Sequence, residues 1–138
     1  MTDKLLTLLA ARDIGVLATI RRDGRPQLST VNYTFDPATM LLRVSGVDNR
    51  AKTYNLRRDP RATFHASTED GWDYVAADGT VDVTPVARDP HDAVVEELID
   101  VYRAIRGDHP DWDEYRAAMV TDHRLVLRMH VDRVYGRA

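Results

Sequence analysis

The residue types best suited to binding chemistry lie in segment 44–60, where Arg50 and Lys52 stand close together at the predicted start of a helix. Amide groups at a helix N-terminus carry partial positive charge, so acidic side chains are normally favoured there. Two cations in that turn are unfavourable unless an anion joins them, and free helix amides bind phosphate well. The segment therefore predicts a phosphate-binding site, with a solvated basic helix as the alternative.

The helix that carries these cations is predicted to be short and to follow a strand. An apolar run ends at residues 45–46, and Asp48 or Asn49 is placed to cap the helix that follows. About three turns are expected before Pro60, because proline cannot continue a helix. The segment has only a weak apolar stripe, so core packing alone does not explain it.

Other kinds of chemistry find little support in the composition. The chain has no cysteine, which excludes disulfides, thiol catalysis and thiolate metal sites and favours a cytoplasmic location. Its five histidines lack ligand spacing, so no metal site is predicted. A net charge of −3 argues against nucleic acid as a partner, and no apolar segment is long enough to span a membrane. No nucleophile motif or acid–base pair stands out, so no catalytic side chain is assigned.

Turn signals and alternating hydrophobicity predict a mainly β fold with flanking helices, in one domain covering residues 1–138. Asp23-Gly24 favours a tight hairpin, and Asp78-Gly79 favours a bulge within a long strand. The short strands and tight turns indicate an antiparallel barrel or curled sheet. The predicted strands are 14–20, 26–35, 40–45, 62–67, 72–84 and 125–131, and the remaining predicted helices are 2–12, a long helix starting at 89–90 and ending at Gly107, and 110–122.

Two stretches of the sequence resemble a known family. These are IGVLATIRRDGRPQLSTVNY and, after the next strand, NRAKTYNLRRDPRATFHAS. The chain is similar to the flavin- and deazaflavin-binding split β-barrel proteins named for pyridoxamine 5′-phosphate oxidase, and in particular to the branch dependent on coenzyme F420. The resemblance implies an FMN-binding-like split barrel that forms a homodimer, with cofactor held between subunits.

The resemblance also implies which residues contact the cofactor. Arg50 and Lys52 would hold its phosphate, with Arg57 and Arg58 placed for a longer anionic tail. Contacts to the ring, the ribityl chain and the phosphate are expected from strand and helix residues around them. The implied cofactor-binding set is Gln27, Leu28, Ser29, Thr30, Asn32, Ser45, Arg50, Ala51, Lys52, Thr53, Arg57, Ser67 and Trp72.

The implied activity is a coenzyme F420-dependent oxidoreductase that transfers hydride between the deazaflavin and a small or flat unsaturated organic substrate. The alternatives are an FMN-binding oxidoreductase of the same family and a non-catalytic binder of the cofactor or a tetrapyrrole. The chain ends in MHVDRVYGRA and lacks the Arg-x-His segment of pyridoxamine phosphate oxidases, which argues against that reaction. Tyr33 and His65 are the candidates for a proton donor.

Overall fold

The computed structural model describes residues 2–138. Alternating burial shows why the apolar runs become strands: on β1 every second side chain enters the interior and the others face outward. The strands are β1 (Ile14–Ile20), β2 (Pro26–Asn32), β3 (Thr34–Asp36), β4 (Leu41–Val47), β5 (Arg61–Ser67), β6 (Tyr74–Val83) and β7 (Arg124–Arg137). The helices are α1 (Thr2–Ala11), α2 (Ala51–Arg58), α3 (Ala93–Arg106) and α4 (Trp112–Thr121).

All strands join one antiparallel sheet in the order β2-β1-β5-β6-β7-β4-β3. The sheet curls so that β2 comes close to β4 without pairing with it. The break between β2 and β3 allows this, because β2 pairs with β1 while β3 pairs with β4. The sequence predicts a mainly β fold with flanking helices around an antiparallel barrel or curled sheet, and this fold class is confirmed.

The fold has an inner and an outer hydrophobic cluster. Leu17, Phe64 and Leu127 are fully buried inside the curled sheet, and Leu9 of α1 packs into the same core. On the outer surface, α3 and α4 pack over β7, where Val126 joins their buried side chains. Successive residues of β7 therefore serve both clusters, which fixes the helices against the half of the sheet that contains β4 and β7.

Several predicted element boundaries are wrong. Helix α2 has eight residues, which is just over two turns rather than three. The predicted strand 26–35 is interrupted at Tyr33, which turns inward and separates β2 from β3. Helix α3 begins at Ala93, because the side chain of Asp92 caps it by accepting a hydrogen bond from the Val95 amide at 2.9 Å.

Candidate functional site

Helix α2 begins without a side-chain cap. Arg50 occupies the N-cap position in extended conformation, and its side chain makes no capping hydrogen bond. The predicted cap at Asp48 or Asn49 is therefore wrong; Asp48 instead forms an ion pair with Arg57 at 2.6 Å. Since the first turn also contains no acidic residue, the positive end of the helix is left open to an external anion.

Buried polar contacts hold α2 in place, which explains its weak apolar stripe. The hydroxyl of Thr53 is fully buried and donates to the Val47 carbonyl at 2.7 Å. Asn55 is also buried, and its side-chain amide donates to the Thr19 hydroxyl at 3.1 Å. These bonds tie the helix to β1 and to the end of β4, and Leu56 adds its side chain to the main core.

A cavity of about 370 Å³ lies beside the start of α2, and we call it the Lys52 cavity. It brings together four of the predicted cofactor contacts, Thr30, Asn32, Ser45 and Lys52. One wall comes from β2, β4 and α2 and is polar apart from Val31. The opposite wall is largely apolar and comes mainly from α3, α4 and the start of β7. Its residues are Val101, Tyr102, Ile105, Arg106, Tyr115, Met119 and Arg124.

The Lys52 cavity carries positive charge without a compensating acid. Lys52, Arg106 and Arg124 all line it, and within residues 2–138 none of the three forms an ion pair. Burial lowers the pKa of Lys52, and the nearby charges of Arg50 and Arg124 lower it further. Arg50 itself is exposed and does not line this cavity. The uncompensated positive charge of the Lys52 cavity favours the binding of an anion.

A second cavity lies on the other side of α2 and has a volume of about 960 Å³. We call it the arginine cavity. Three of its arginines are engaged: Arg57 pairs with Asp48, Arg21 pairs with Asp23, and Arg58 donates to the Ile20 carbonyl at 2.8 Å. The predicted contacts Gln27, Ala51 and Arg57 line this cavity and not the Lys52 cavity. Its full lining is Arg21, Arg22, Asp23, Gln27, Ala51, Tyr54, Asn55, Arg57 and Arg58.

The remaining predicted contacts lie outside both cavities of the single chain. Leu28 and Ser29 point to opposite faces of β2, as consecutive strand residues must, and Leu28 is 64% exposed. Ser67 is half-buried at the end of β5, and Trp72 stands in the following turn with 72% of its surface exposed. The predicted cofactor contacts therefore do not all lie on one face of a single chain.

Neither candidate proton donor reaches the Lys52 cavity. Tyr33 is buried and its hydroxyl donates to the Leu9 carbonyl at 2.6 Å, while burial raises the pKa of that phenol. His65 lies on β5, stacked on Tyr74 with ring centres 5.5 Å apart. In residues 2–138 no group of three or more His, Asp or Glu side chains is arranged to hold a metal ion.

No helix in the described part of the chain is both long and apolar enough to cross a lipid bilayer.

Comparison with known proteins gives a consistent family assignment. The family model described as "Pyridoxamine 5'-phosphate oxidase" matches residues 1–138. A curated protein of Mycobacterium tuberculosis, described as "F420H(2)-dependent biliverdin reductase", is 28% identical over 138 residues, which cover 100% of this chain and 89% of that protein.

Solved structures show the same fold at lower sequence identity. A conserved hypothetical protein from Mycobacterium tuberculosis, Rv2991, superposes with a TM-score of 0.75 at 22% identity, covering 99% of this chain and 84% of the other. A structure described as "F420 Reductase" gives a TM-score of 0.66 at 23% identity, with 94% of each chain covered. A FAD-binding protein from Mesorhizobium loti gives 0.69 at 17% identity, with 99% and 91% covered.

Proposed function

The chain belongs to the pyridoxamine 5′-phosphate oxidase family, and we propose that it is an oxidoreductase that uses coenzyme F420 to reduce a small or flat unsaturated organic molecule. The observation that carries this proposal is the Lys52 cavity, where Lys52 faces a largely apolar wall that also carries Arg106 and Arg124. A cofactor that carries both a phosphate and a flat ring system matches both parts. The description of the M. tuberculosis relative as F420H(2)-dependent favours a deazaflavin over a flavin.

The residues present fit such a group. Lys52 and the uncapped amides at the start of α2 would hold the phosphate, because an anion there relieves the charge that the free site leaves uncompensated. Ser45 would lie near the ribityl hydroxyls, and Thr30 and Asn32 of β2 would lie along the ring. When bound, the reduced deazaflavin supplies the hydride, so the protein's task is to bind and orient the partners and to limit water.

The apolar wall supports a flat substrate. Tyr102, Ile105 and Met119 present ring and aliphatic surface to the cavity, and Tyr115 has its hydroxyl committed to the Leu98 carbonyl at 3.1 Å. Such a wall favours an apolar face of a ligand over a charged one. Biliverdin, which the description of the curated relative names, is the first tetrapyrrole to test as a substrate.

The arginine cavity is the proposed place for an anionic tail of the cofactor. Four arginines line it against one aspartate, so its local charge stays positive even though Arg21 is paired with Asp23 and Arg57 with Asp48. FMN has no such tail. Replacing Arg57 with Gln should therefore weaken the binding of coenzyme F420 and leave FMN binding unchanged; an equal loss for both cofactors would remove the tail assignment.

The principal test is a pair of fluorescence titrations with coenzyme F420 and FMN. Charged hydrogen bonds to phosphate contribute roughly 1.5–3 kcal/mol, so Lys52→Ala should weaken cofactor binding by about tenfold or more. Lys4→Ala is the matched control, because Lys4 is the only other lysine and lies exposed on α1. Unchanged affinity in Lys52→Ala would remove the phosphate site from the proposal.

An FMN-dependent oxidoreductase is the second candidate, supported by the fold likeness to a FAD-binding protein. Tighter binding of FMN than of coenzyme F420, with yellow protein from an ordinary expression host, would favour it. A non-catalytic binder would hold cofactor yet fail to oxidise its reduced form with any acceptor among quinones, enones and tetrapyrroles.

We also propose that the active form is a homodimer. Ile14, Val16, Ala18 and Leu28 share the outward face of β1 and β2, and Ile14 and Leu28 are 58% and 64% exposed. A second copy covering this face would bury apolar surface that one chain leaves in water. It would also bring residues of the other subunit near β2, where the cofactor ring is placed.

A further inference from the structure

Arg124 comes from the far end of the sequence to the start of α2. It is the first residue of β7 and pairs with Val47 at the end of β4. Its carbonyl accepts a hydrogen bond from the Ala87 amide at 2.8 Å, and the carbonyl of the preceding His123 accepts one from the Asp48 amide at 3.0 Å. The main chain that carries Arg124 is therefore fixed against the loop that leads into α2.

The side chain of Arg124 is half-buried and lines the Lys52 cavity. Its Nε atom is buried, and within residues 2–138 it has no hydrogen-bond partner. No aspartate or glutamate lines the Lys52 cavity that it faces. An unpaired buried donor on a charged group is costly, and folded proteins normally satisfy such groups with protein, water or ligand.

A packing role explains only part of this side chain. The aliphatic stem of Arg124 can cover the apolar wall that Tyr115 and Met119 form in the same cavity. A methionine or leucine would do this equally well and without burying an unpaired donor. The guanidinium group therefore requires a separate explanation. Lys52 lines the same cavity, and two cations in one cavity indicate a shared anionic ligand.

We propose that Arg124 is a direct ligand of the anionic group in the Lys52 cavity, and that it binds the same phosphoryl group as Lys52. This assignment rests on the proposed function, since it adds a residue to the same site. The planar fork of arginine can donate from Nε and one Nη to two oxygens of one phosphoryl group.

The test compares ligands that differ only in the phosphate. FMN and riboflavin are titrated against wild type, Arg124→Met and Arg124→Lys. Methionine keeps the apolar stem, so Arg124→Met should bind FMN about tenfold or more weakly and riboflavin as wild type does. Arg124→Lys keeps the charge without the planar fork, so its FMN affinity should lie between those of wild type and Arg124→Met. An equal loss for FMN and riboflavin, or no loss for FMN, would overturn the assignment.

A cofactor-independent measurement separates this inference from the proposed function. At pH 8, where inorganic phosphate is mainly a dianion, phosphate should raise the melting temperature of wild type and of the control Arg88→Met, but not that of Arg124→Met. Arg88 is exposed and lies in the loop before α3. An equal phosphate shift in Arg124→Met, or none in wild type, overturns the inference. If phosphate binds through Arg124 but neither FMN nor coenzyme F420 binds, the inference stands and the proposed function falls.

Discussion

Lys52 is a residue whose suitability for binding lowers the stability of the free protein. Burial and two neighbouring arginines disfavour its charged form, so its pKa lies below the ordinary value of 10.5. Replacing Lys52 with Met removes this unfavourable charge and should raise the free energy of unfolding of the free protein by about 0.5–2 kcal/mol. The same change should weaken cofactor binding. Urea unfolding without ligand measures the first effect, and a less stable Lys52→Met at pH 7 would contradict it.

The pH dependence follows from the direction of this pKa change. The folded protein releases the Lys52 proton at lower pH than the unfolded chain does, so in that interval the unfolded state binds more protons. The stability of wild type relative to Lys52→Met should therefore rise as the pH increases through the lowered pKa towards 10.5. The unfolding midpoints of wild type and Lys52→Met should converge as the pH is raised from 7 to 10. Parallel pH profiles of the two proteins would contradict a lowered pKa of Lys52.

Asn55 is the residue that joins the binding helix to the barrel. Its amide donates to the buried hydroxyl of Thr19, and its Oδ1 accepts from Arg58 at 3.0 Å. Asn55→Ala leaves the Thr19 hydroxyl without that partner and should cost about 1–3 kcal/mol of stability in urea unfolding. Asn49→Ala is the matched control, because Asn49 is exposed just before α2. Similar losses in both variants would show that the buried contact is not the cause.

At the scale of the elements, the bulge between β6 and β7 gives a sharp prediction. A Cβ atom on Gly79 would collide with the main-chain carbonyl oxygen of His130, which a side-chain rotation does not relieve. Gly79→Ala should therefore lower the free energy of unfolding by about 1–3 kcal/mol. Thr80→Ala changes the adjacent exposed position and should have little effect in the same urea titration. Wild-type stability in Gly79→Ala would mean that the strands can separate there without cost.

Local patterns in the sequence were sufficient for most strands. The alternation in residues 14–20 gives β1 its observed bounds, and the glycine at Asp78-Gly79 does mark a bulge. The last strand extends beyond the predicted Val131. The alternating pattern stops there because Asp132 is the extra residue opposite that bulge, and pairing with β6 resumes at Arg133. Tyr33 ends β2 for a tertiary reason, since its hydroxyl bonds to α1, and no local pattern encodes that contact.

Only part of the candidate site could be predicted from the sequence. Lys52 could be found because a cation conflicts with the charge expected at a helix start. The same argument selected Arg50, which is exposed and does not line the Lys52 cavity. Arg124 and Tyr102 gave no such signal: the first opens an ordinary strand, and the second belongs to the apolar face of α3. They reach the Lys52 cavity through the β4–β7 pairing and the packing of α3, which are contacts between distant segments.

At the scale of the whole molecule, the helices cover the two sides of the sheet unequally. Helices α3 and α4 pack over the outer face of β7, and they leave the outer face of β1 and β2 uncovered. Cross-strand neighbours there include Ala18 with Leu28 and Ile14 with Asn32. Because β2 also contributes Thr30 to the Lys52 cavity, a partner on this face would stand next to the proposed cofactor ring.

The homodimer proposal therefore predicts that assembly and cofactor binding are lost together. Ile14 lies on the uncovered face but outside both cavities. Ile14→Asp should convert a dimer to a monomer in light scattering and weaken cofactor binding by about tenfold or more, since a buried charge disfavours association. Ala38→Asp introduces the same charge at an exposed turn before β4 and should do neither. A monomeric wild type that binds cofactor tightly would show that binding does not need a partner on this face. A dimeric Ile14→Asp would show that assembly does not use this face, and either result would exclude it as the interface.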